Sequence, residues 1–343
     1  MPQCEWNSNT LWHFCKNGDR EMVKGLKEVR LISLILVMVL VCSLGLVGCG
    51  SEQNDVQENV GSIQVTDMMG RDISLDKPAE KVVVLDAANC EVLYKLGVES
   101  TIIARGEYCN YPESVLDIPM VGSGRNTNIE NIVALQPDIV IANSMDQTKE
   151  QIHAIEAAGI PVVMTDDSNI EGVYTGIMLV GEVMGKSEDA IKIVDDMKAA
   201  FEEISKKAEQ AKADAGDVTK TVYIEASPLE YGLWASGKDT FAHEIVEMLG
   251  AKNIFEDVEN WVEVSQEQVI SRNPDLIVST TMFFGGNMSP EEEIYSRKGW
   301  EGITAIKEKQ VYNANSDTIT RPGPRLVDAA YEMYEYIYGE SLE

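Results

Sequence analysis

One segment of this sequence occurs twice, and the repeat constrains the possible folds more than any other feature. Each copy is a Glu, six further residues, a Pro-Asp pair and then an apolar run, and the copies begin at Glu130 and Glu267. The pattern predicts a short helix, a corner at the Pro-Asp pair and a buried strand. Two copies therefore predict two lobes of like construction with a cleft between them.

The rest of the sequence predicts an α/β fold with two Rossmann-like lobes bridged by a single long α-helix. Short apolar runs rich in β-branched residues alternate with helical patterns, as in parallel sheets. Residues 187–213 place apolar side chains at three- and four-residue spacing without Gly or Pro, which predicts one helix about 40 Å long. A hairpin is expected around Met69-Gly70-Arg71. Buried strands are expected at residues 82–85, 102–104, 139–142, 162–164, 222–224, 276–279 and 311–313.

The N-terminal region predicts export. A basic stretch precedes the uncharged residues 31–48, as in a signal peptide. Leu46-Val47-Gly48-Cys49 resembles the bacterial lipobox, which implies cleavage before Cys49 and lipid attachment to its thiol. The alternative for residues 31–48 is an uncleaved transmembrane anchor. Both alternatives place the body of the protein outside the cytoplasm.

These patterns divide the chain into five parts. The residues before Met22 suit a leader poorly, so we expect translation to start at Met22. The expected parts are a leader at 1–48, the lipidated Cys and a polar tether at 49–62, an N-terminal lobe at 63–186, an interlobe helix at 187–215 and a C-terminal lobe at 216–343.

Charge and motif content argue against nucleic-acid binding and catalysis. The chain has 28 Lys and Arg against 57 Asp and Glu, a net charge of −29, whereas binding a phosphate backbone needs excess positive charge. Residues 232–238 match the start of a phosphate loop, but Asp239 stands where a Mg²⁺-binding hydroxyl belongs. The segment His243–Glu247 lacks the second His of a zinc helix. We therefore expect neither an enzyme nor a metal site.

Two cysteines, Cys90 and Cys109, lie outside the leader and the lipid site. Each follows a predicted strand, and these strands are successive. An exported chain permits a disulfide between them, and two buried free thiols are the alternative.

Five segments occur in a characteristic order after the lipobox, namely Val65–Arg71, Asn128–Asp138, Ala235–Phe241, Ser265–Asp275 and Arg321–Arg325. Through them the chain from about Val65 to Gly339 resembles the substrate-binding lipoproteins of ABC importers for cobalamin, ferric siderophores and haem. The resemblance implies the helical-backbone periplasmic-binding-protein fold and a monomer, lipid-anchored to the outer face of the cell membrane. It implies capture of a metal chelate, no cofactor, and delivery to a permease powered by a cytoplasmic ATPase. A surface lipoprotein that binds a peptide or protein is the alternative.

In this family one surface Glu of each lobe docks onto Arg pockets of the permease. The matching positions are Glu130 and Glu267. A structural explanation is also available, because Thr127 and Glu130 have the spacing of a capping box and Glu267 falls in a first turn opened by Ser265. The two explanations are compatible.

The resemblance also indicates ligand-binding residues. Tyr108 and Tyr111 lie in a segment similar to the one that, in cobalamin-binding members, places a Tyr against the corrin. Trp261 falls where those members have a Trp in the cleft. Flat aromatic rings suit a broad macrocycle because they offer a large contact area. Gly124 departs from the cobalamin pattern, which has another Trp there. Apart from the resemblance, Trp234, Met282 and Phe283 are further lining candidates, with a place in the apolar core as the alternative.

Four arginines lie in predicted cleft loops and would fit an anionic chelate or the propionates of haem, because guanidinium pairs with carboxylates. The interpretation favours a cobalamin-type corrinoid or a ferric siderophore, with haem as an alternative that Tyr108, Tyr111 or Met282 would ligate. For Arg321 and Arg325 the alternative is structural, namely that they cap the last helix. The four are Arg105, Arg125, Arg321 and Arg325.

Overall fold

In the computed structural model, which describes residues 62–144, 147–282 and 287–339, the first element is an antiparallel hairpin. Its strands are β1 (Ile63–Thr66) and β2 (Asp72–Leu75). The carboxylate of Asp67 accepts hydrogen bonds from the backbone N–H groups of Met69 and Arg71, at 3.0 and 2.9 Å. The predicted hairpin is confirmed. The predicted leader, Cys49 and Phe283 lie outside the described residues.

The N-terminal lobe is built on a sheet of four parallel strands in the order β4-β3-β5-β6. The side chains of β3, β5 and β6 are buried along the whole strand because helices cover both faces. The strands are β3 (Val82–Val84), β4 (Ile102–Arg105), β5 (Ile139–Asn143) and β6 (Val162–Thr165). The helices are α1 (Ala87–Lys95), α2 (Ile129–Leu135), α3 (Lys149–Ala157) and α4 (Ile170–Val183).

The long helix α5 (Ser187–Asp214) confirms the predicted bridge. It packs against α4 at Gly181, where a Cβ atom would lie 2.3 Å from the Cβ of Ala190. One residue of the predicted apolar face, Ile191, is instead 47% exposed. The buried side chains are Ala190, Ile193, Val194, Met197, Phe201, Ile204 and Ala208.

The C-terminal lobe has a mixed sheet in the order β10-β8-β7-β11-β12, with β9 paired to the start of β7. Strands β7, β11 and β12 are parallel, whereas β8 runs antiparallel to β7 and to β10. Strands β8, β9 and β10 were not predicted from the sequence. The strands are β7 (Thr221–Ser227), β8 (Leu233–Ser236), β9 (Lys252–Asn253), β10 (Trp261–Val264), β11 (Leu276–Ser279) and β12 (Val311–Asn313).

Among the described residues of this lobe, six helices accompany the sheet, and the last of them packs along α5. They are α6 (Phe241–Met248), α7 (Gln266–Arg272), α8 (Pro290–Ser296), α9 (Thr304–Lys307), α10 (Ser316–Ile319) and α11 (Leu326–Tyr338). Apolar residues of α5, of α4 and of α11 share one buried cluster. The long helix therefore belongs to the core of both lobes.

The sequence repeat is a repeat in structure. Helices α2 and α7 both end at a residue in the left-handed conformation, Gln136 (φ 48°) and Asn273 (φ 46°). The Asp of each Pro-Asp pair then accepts a hydrogen bond from the residue at the start of the neighbouring strand, from Lys81 N to Asp138 at 2.9 Å and from Thr221 N to Asp275 at 2.8 Å. Each unit is thereby fixed to its own sheet.

Three further observations bear on the sequence predictions. The described residues between 62 and 339 group as one compact unit, so the proposed division at residues 186 and 215 stays a prediction. Among the described residues, no helix combines the length and apolarity needed to cross a membrane. Cys90 and Cys109 are both buried free thiols.

Candidate functional site

A buried polar network occupies the carboxyl edge of the N-terminal sheet. Asp86 follows β3 and caps α1 by accepting a hydrogen bond from Asn89 N at 2.8 Å. The Asn89 amide also donates to Asp86 and to Thr165 Oγ1, at 2.8 and 2.9 Å. The Asn143 amide at the end of β5 donates to Thr165 Oγ1 and to Asp167 Oδ2, at 3.2 and 2.9 Å. Three strand ends are thus joined beneath the expected cleft.

The second acid of this network, Asp167, follows β6 and is buried. Burial, assisted by the nearby charge of Asp86, raises the pKa of Asp167 to about 8. Its Oδ1 atom has no hydrogen-bond partner and lies against Gly176, where a Cβ atom would come within 2.3 Å of it. The folded protein therefore favours the protonated carboxyl group at neutral pH.

The segment after β4 brings two tyrosines to the edge of this network. Gly106 allows the chain to pass β3, because a Cβ there would lie 2.1 Å from the carbonyl oxygen of Leu85. The Cys109 thiol donates to the Asp86 carbonyl at 3.2 Å and is hydrogen-bonded to Cys90, which together with burial raises the pKa of Cys109. Tyr108 and Tyr111 are 55% and 49% exposed. Their rings are therefore available to a ligand.

The C-terminal lobe faces this segment with two arginines bound to one acid of α1. The carboxylate of Glu91 accepts from Arg325 Nη2 at 2.5 Å and from Arg325 Nε at 2.8 Å. Arg321 Nη1 lies 3.4 Å from the same carboxylate. Arg325 occupies the N-cap position of α11, but its side chain does not cap the helix. Both arginines therefore join the lobes.

Two polar residues complete these interlobe contacts. Arg321 also bonds Asn110 Oδ1 at 2.6 Å and Asp317 Oδ1 at 2.5 Å, and the Asn110 amide donates to Asp317 at 3.2 Å. The guanidinium of Arg325 lies 4.0 Å from the centre of the Tyr111 ring. The tyrosine segment and the arginine segment are thus one connected surface.

A cavity of about 160 Å³ lies between the lobes beside this surface. Tyr108, Met282 and Arg321, three of the predicted ligand residues, line it together. The remaining lining residues come from the strand ends and from the loop before α11, and they are Leu85, Asp86, Ala87, Ala88, Asn143, Thr320 and Pro322. The predicted cleft exists at the carboxyl edge of the N-terminal sheet.

Four other predicted ligand residues lie apart from this cavity. Arg105 is buried and donates to the carbonyls of Ile118 and Gly106, at 3.2 and 3.1 Å. Arg125 is exposed in a short 3-10 helix. Trp261 packs edge-on against Phe241, with ring centres 5.9 Å apart. Trp234 projects from β8 and is 40% exposed.

The two glutamates of the repeat occupy equivalent places in the two lobes. Glu130 and Glu267 both lie exposed in the first turns of α2 and α7. The expected capping box at Thr127 is wrong, because Asn128 caps α2 and the Thr127 hydroxyl bonds the Gly124 carbonyl instead. Ser265 does cap α7, as predicted.

Helix-start interactions also affect the charge of one of these acids. Hydrogen bonds from the backbone N–H of Glu267 and from the Ser265 hydroxyl lower the pKa of the Glu267 carboxyl group. Glu267 therefore presents a negative charge to solvent at neutral pH.

Glu91, Asn110 and Asp317 were not among the site residues predicted from the sequence. Glu91 lies among the apolar residues of α1, and only 4% of its side chain is exposed. A carboxylate on an apolar helix face was the available signal, because a buried charge requires a partner. Its partners lie more than two hundred residues away, so local sequence could not identify them.

Comparison with known proteins agrees with this geometry. A model of the family described as periplasmic binding protein matches residues 82–318. An uncharacterized ABC transporter substrate-binding lipoprotein of Bacillus subtilis, YvrC, is 31% identical over 90% of this chain and 98% of its own length. A vitamin B12-binding protein of Vibrio campbellii is 27% identical over 76% of this chain and 90% of its own length.

A solved structure shows the same fold. It is that of a possible iron-binding, periplasmic solute-binding protein of Staphylococcus epidermidis, with a TM-score of 0.63 and 27% identity. The match covers 76% of this chain and all of that one. With two α/β lobes, a bridging helix and an interlobe cavity, this chain belongs to the periplasmic binding protein family of ABC transporters.

Proposed function

We propose that the protein captures a metal chelate, a cobalamin-type corrinoid or a ferric siderophore, in the interlobe cleft and delivers it to a membrane permease. The observation that carries the proposal is the cavity that Tyr108, Met282 and Arg321 line from opposite lobes. The names of two similar proteins, one vitamin B12-binding and one possibly iron-binding, support the same ligand classes.

The size of the cavity indicates how such a ligand binds. At about 160 Å³ it is below the roughly 300–1,000 Å³ usual for small-molecule sites, and a macrocycle is too large for it. The ligand therefore rests at the mouth of the cavity, against Tyr108 and Tyr111, or separates the lobes slightly. Offset stacking on these exposed rings would supply most of the apolar contact.

Delivery depends on Glu130 and Glu267. One exposed first-turn carboxylate per lobe gives a permease two charged contacts of fixed separation, and paired Arg side chains would bind them in a bidentate manner. The separate cytoplasmic ATPase supplies the energy. Lipidation of Cys49, with residues 50–62 as a tether, would hold the protein on the outer face of the membrane.

A binding titration tests capture. The full chain in detergent is titrated with cyanocobalamin, ferric siderophores and haemin, with tryptophan fluorescence and calorimetry as readouts. We expect saturable submicromolar binding of a corrinoid or a siderophore, and a Tyr108→Ala variant should bind it more weakly. Absence of binding to all of these ligands would overturn the proposal and favour a surface protein with a peptide or protein partner.

An uptake assay tests delivery. The Glu130→Lys/Glu267→Lys double variant should lose ligand uptake in cells while ligand affinity in vitro stays unchanged. The matched control is Glu150→Lys/Glu188→Lys, which reverses two exposed first-turn glutamates of α3 and α5. Equal loss of uptake in the control, or a parallel loss of affinity in the double variant, would contradict the docking role.

A further inference from the structure

The two arginines beside the cavity are already neutralised by acids of this chain. Glu91 holds Arg325 in a bidentate ion pair and lies 3.4 Å from Arg321. Arg321 has a second carboxylate partner, Asp317, at 2.5 Å. Two guanidinium groups therefore face two carboxylates.

Glu91 is the less accessible of the two acids. Its side chain is 4% exposed, whereas that of Asp317 is 32% exposed. A carboxylate buried to this degree needs its cationic partners, because removing them leaves an uncompensated charge. The pairs across the cleft are therefore difficult to exchange for contacts to a ligand.

We propose that Glu91 sets the charge selectivity of the cleft, so that the site takes uncharged or cationic chelates and rejects anionic ones. This inference rests on the proposed function and narrows its ligand class. An anionic chelate could bind Arg321 or Arg325 only by displacing Glu91 or Asp317. It would also meet Asp86 in the cavity lining.

An uncharged chelate meets no such penalty. It can lie on the exposed Tyr108 ring, and on the Tyr111 ring that Arg325 covers from one side, without breaking an ion pair. Corrinoids and uncharged or cationic ferric hydroxamates satisfy this condition. Haem, with two propionates, and ferric citrate do not.

The test is a ratio of affinities. Calorimetry on the full chain in detergent compares cyanocobalamin with haemin and ferric citrate, for the wild type and for Glu91→Gln. We expect the wild type to prefer cyanocobalamin. The substitution should raise the affinity for the anionic chelates, relative to that for cyanocobalamin, by about tenfold, because it frees a guanidinium.

A matched control comes from another carboxylate between the lobes. Glu244 of α6 accepts a hydrogen bond from Ile170 N in α4 at 2.7 Å, and among the described residues it has no arginine partner. Glu244→Gln should leave the affinity ratio unchanged. If Glu91→Gln does not fold, Asp317→Asn releases Arg321 from the exposed side and should change the ratio in the same direction.

The outcomes separate the inference from the function on which it rests. A wild type that prefers anionic chelates, or a Glu91→Gln protein without a gain for them, overturns the inference while capture of a chelate stands. A wild type that binds none of the ligands overturns the proposed function. In that case a gain of haemin binding by Glu91→Gln still supports the role of Glu91, and its absence overturns that role as well.

Discussion

Each lobe buries an acid near the carboxyl edge of its sheet, and the two lobes stabilise that acid in different ways. In the C-terminal lobe, Glu225 of β7 is bound by both Nη atoms of Arg297, at 2.6 and 2.8 Å, and both side chains are 1% exposed. In the N-terminal lobe, Asp167 has the neutral amide of Asn143 as its hydrogen-bond donor. One lobe uses an ion pair and the other a polar network.

The difference shows what a buried carboxyl group requires. Burial raises the pKa of Glu225, and Arg297 opposes that rise. Burial raises the pKa of Asp167 to about 8, with only hydrogen bonds from Thr165 and Asn143 to oppose it. The C-terminal lobe stabilises buried Glu225 with the permanent charge of Arg297. The N-terminal lobe, which lines more of the cavity, stabilises buried Asp167 by keeping its carboxyl group protonated.

The largest effect is expected from removing the cation of the C-terminal lobe. Arg297→Met leaves Glu225 buried without its partner and should lower the free energy of unfolding by about 3–5 kcal/mol. Denaturant unfolding measures the loss. Adding Glu225→Gln should recover a large part of it, and a double variant as unstable as the sum of the two single variants would show that the pair is not coupled.

A pH-dependent effect is expected in the N-terminal lobe. The folded state keeps the Asp167 proton up to pH about 8, whereas an unfolded Asp loses it near its ordinary value of 3.8. The folded state thus binds more protons in this window, so stability should fall as pH rises, by at most about 1.4 kcal/mol per pH unit.

Replacement of Asp167 checks this expectation. Asp167→Asn cannot titrate and should remove that slope in urea unfolding between pH 5 and 8, measured in steps of about one pH unit. In the control Asp166→Asn the slope should remain, because Asp167 is still present. A wild-type stability that rises across this window would contradict the assignment of the proton.

The smallest effect is expected at the two left-handed positions of the repeat, where substitution by Gly should change the stability of the protein in opposite directions. Gln136 is exposed at a left-handed position, and Gln136→Gly should stabilise the protein by about 0.5–1 kcal/mol. Asn273 occupies the equivalent position, but its side-chain Oδ1 accepts a hydrogen bond from Thr304 N at 2.8 Å, which glycine would lose. Asn273→Gly should therefore destabilise by about 1 kcal/mol. Thermal unfolding of both variants measures the two signs, and equal shifts would show that backbone conformation alone decides.

The sequence predicted best those elements whose signal is local. The bridging helix, the hairpin and the seven apolar strands follow from spacing and β-branched content, and their positions agree with the structure to within a few residues. The missed strands β8, β9 and β10 lack this signal. Strand β8 is interrupted by Trp234 and lies in a segment that resembles a phosphate loop. Strand β9 has only two residues.

The candidate site was less predictable because its contacts join distant parts of the chain. Tyr108 was identified through the family resemblance, Arg321 by its place in a predicted cleft loop and Met282 as a further lining candidate, and the structure brings the three to one cavity. Glu91 binds Arg321 and Arg325 across the cleft. These ion pairs depend on how the lobes face each other, and no local sequence pattern specifies that arrangement.

The continuity of α5 through the core of both lobes has a consequence for transport. Apolar side chains of this 28-residue helix are buried from Ala190 to Ala208, and bending the helix there would expose them to water. We expect this packing to limit the motion of the lobes to a small rocking about the helix. The separation of Glu130 and Glu267 would then change little between the empty and the loaded protein. If a permease docks on these two glutamates as proposed, it would meet nearly the same separation in both states.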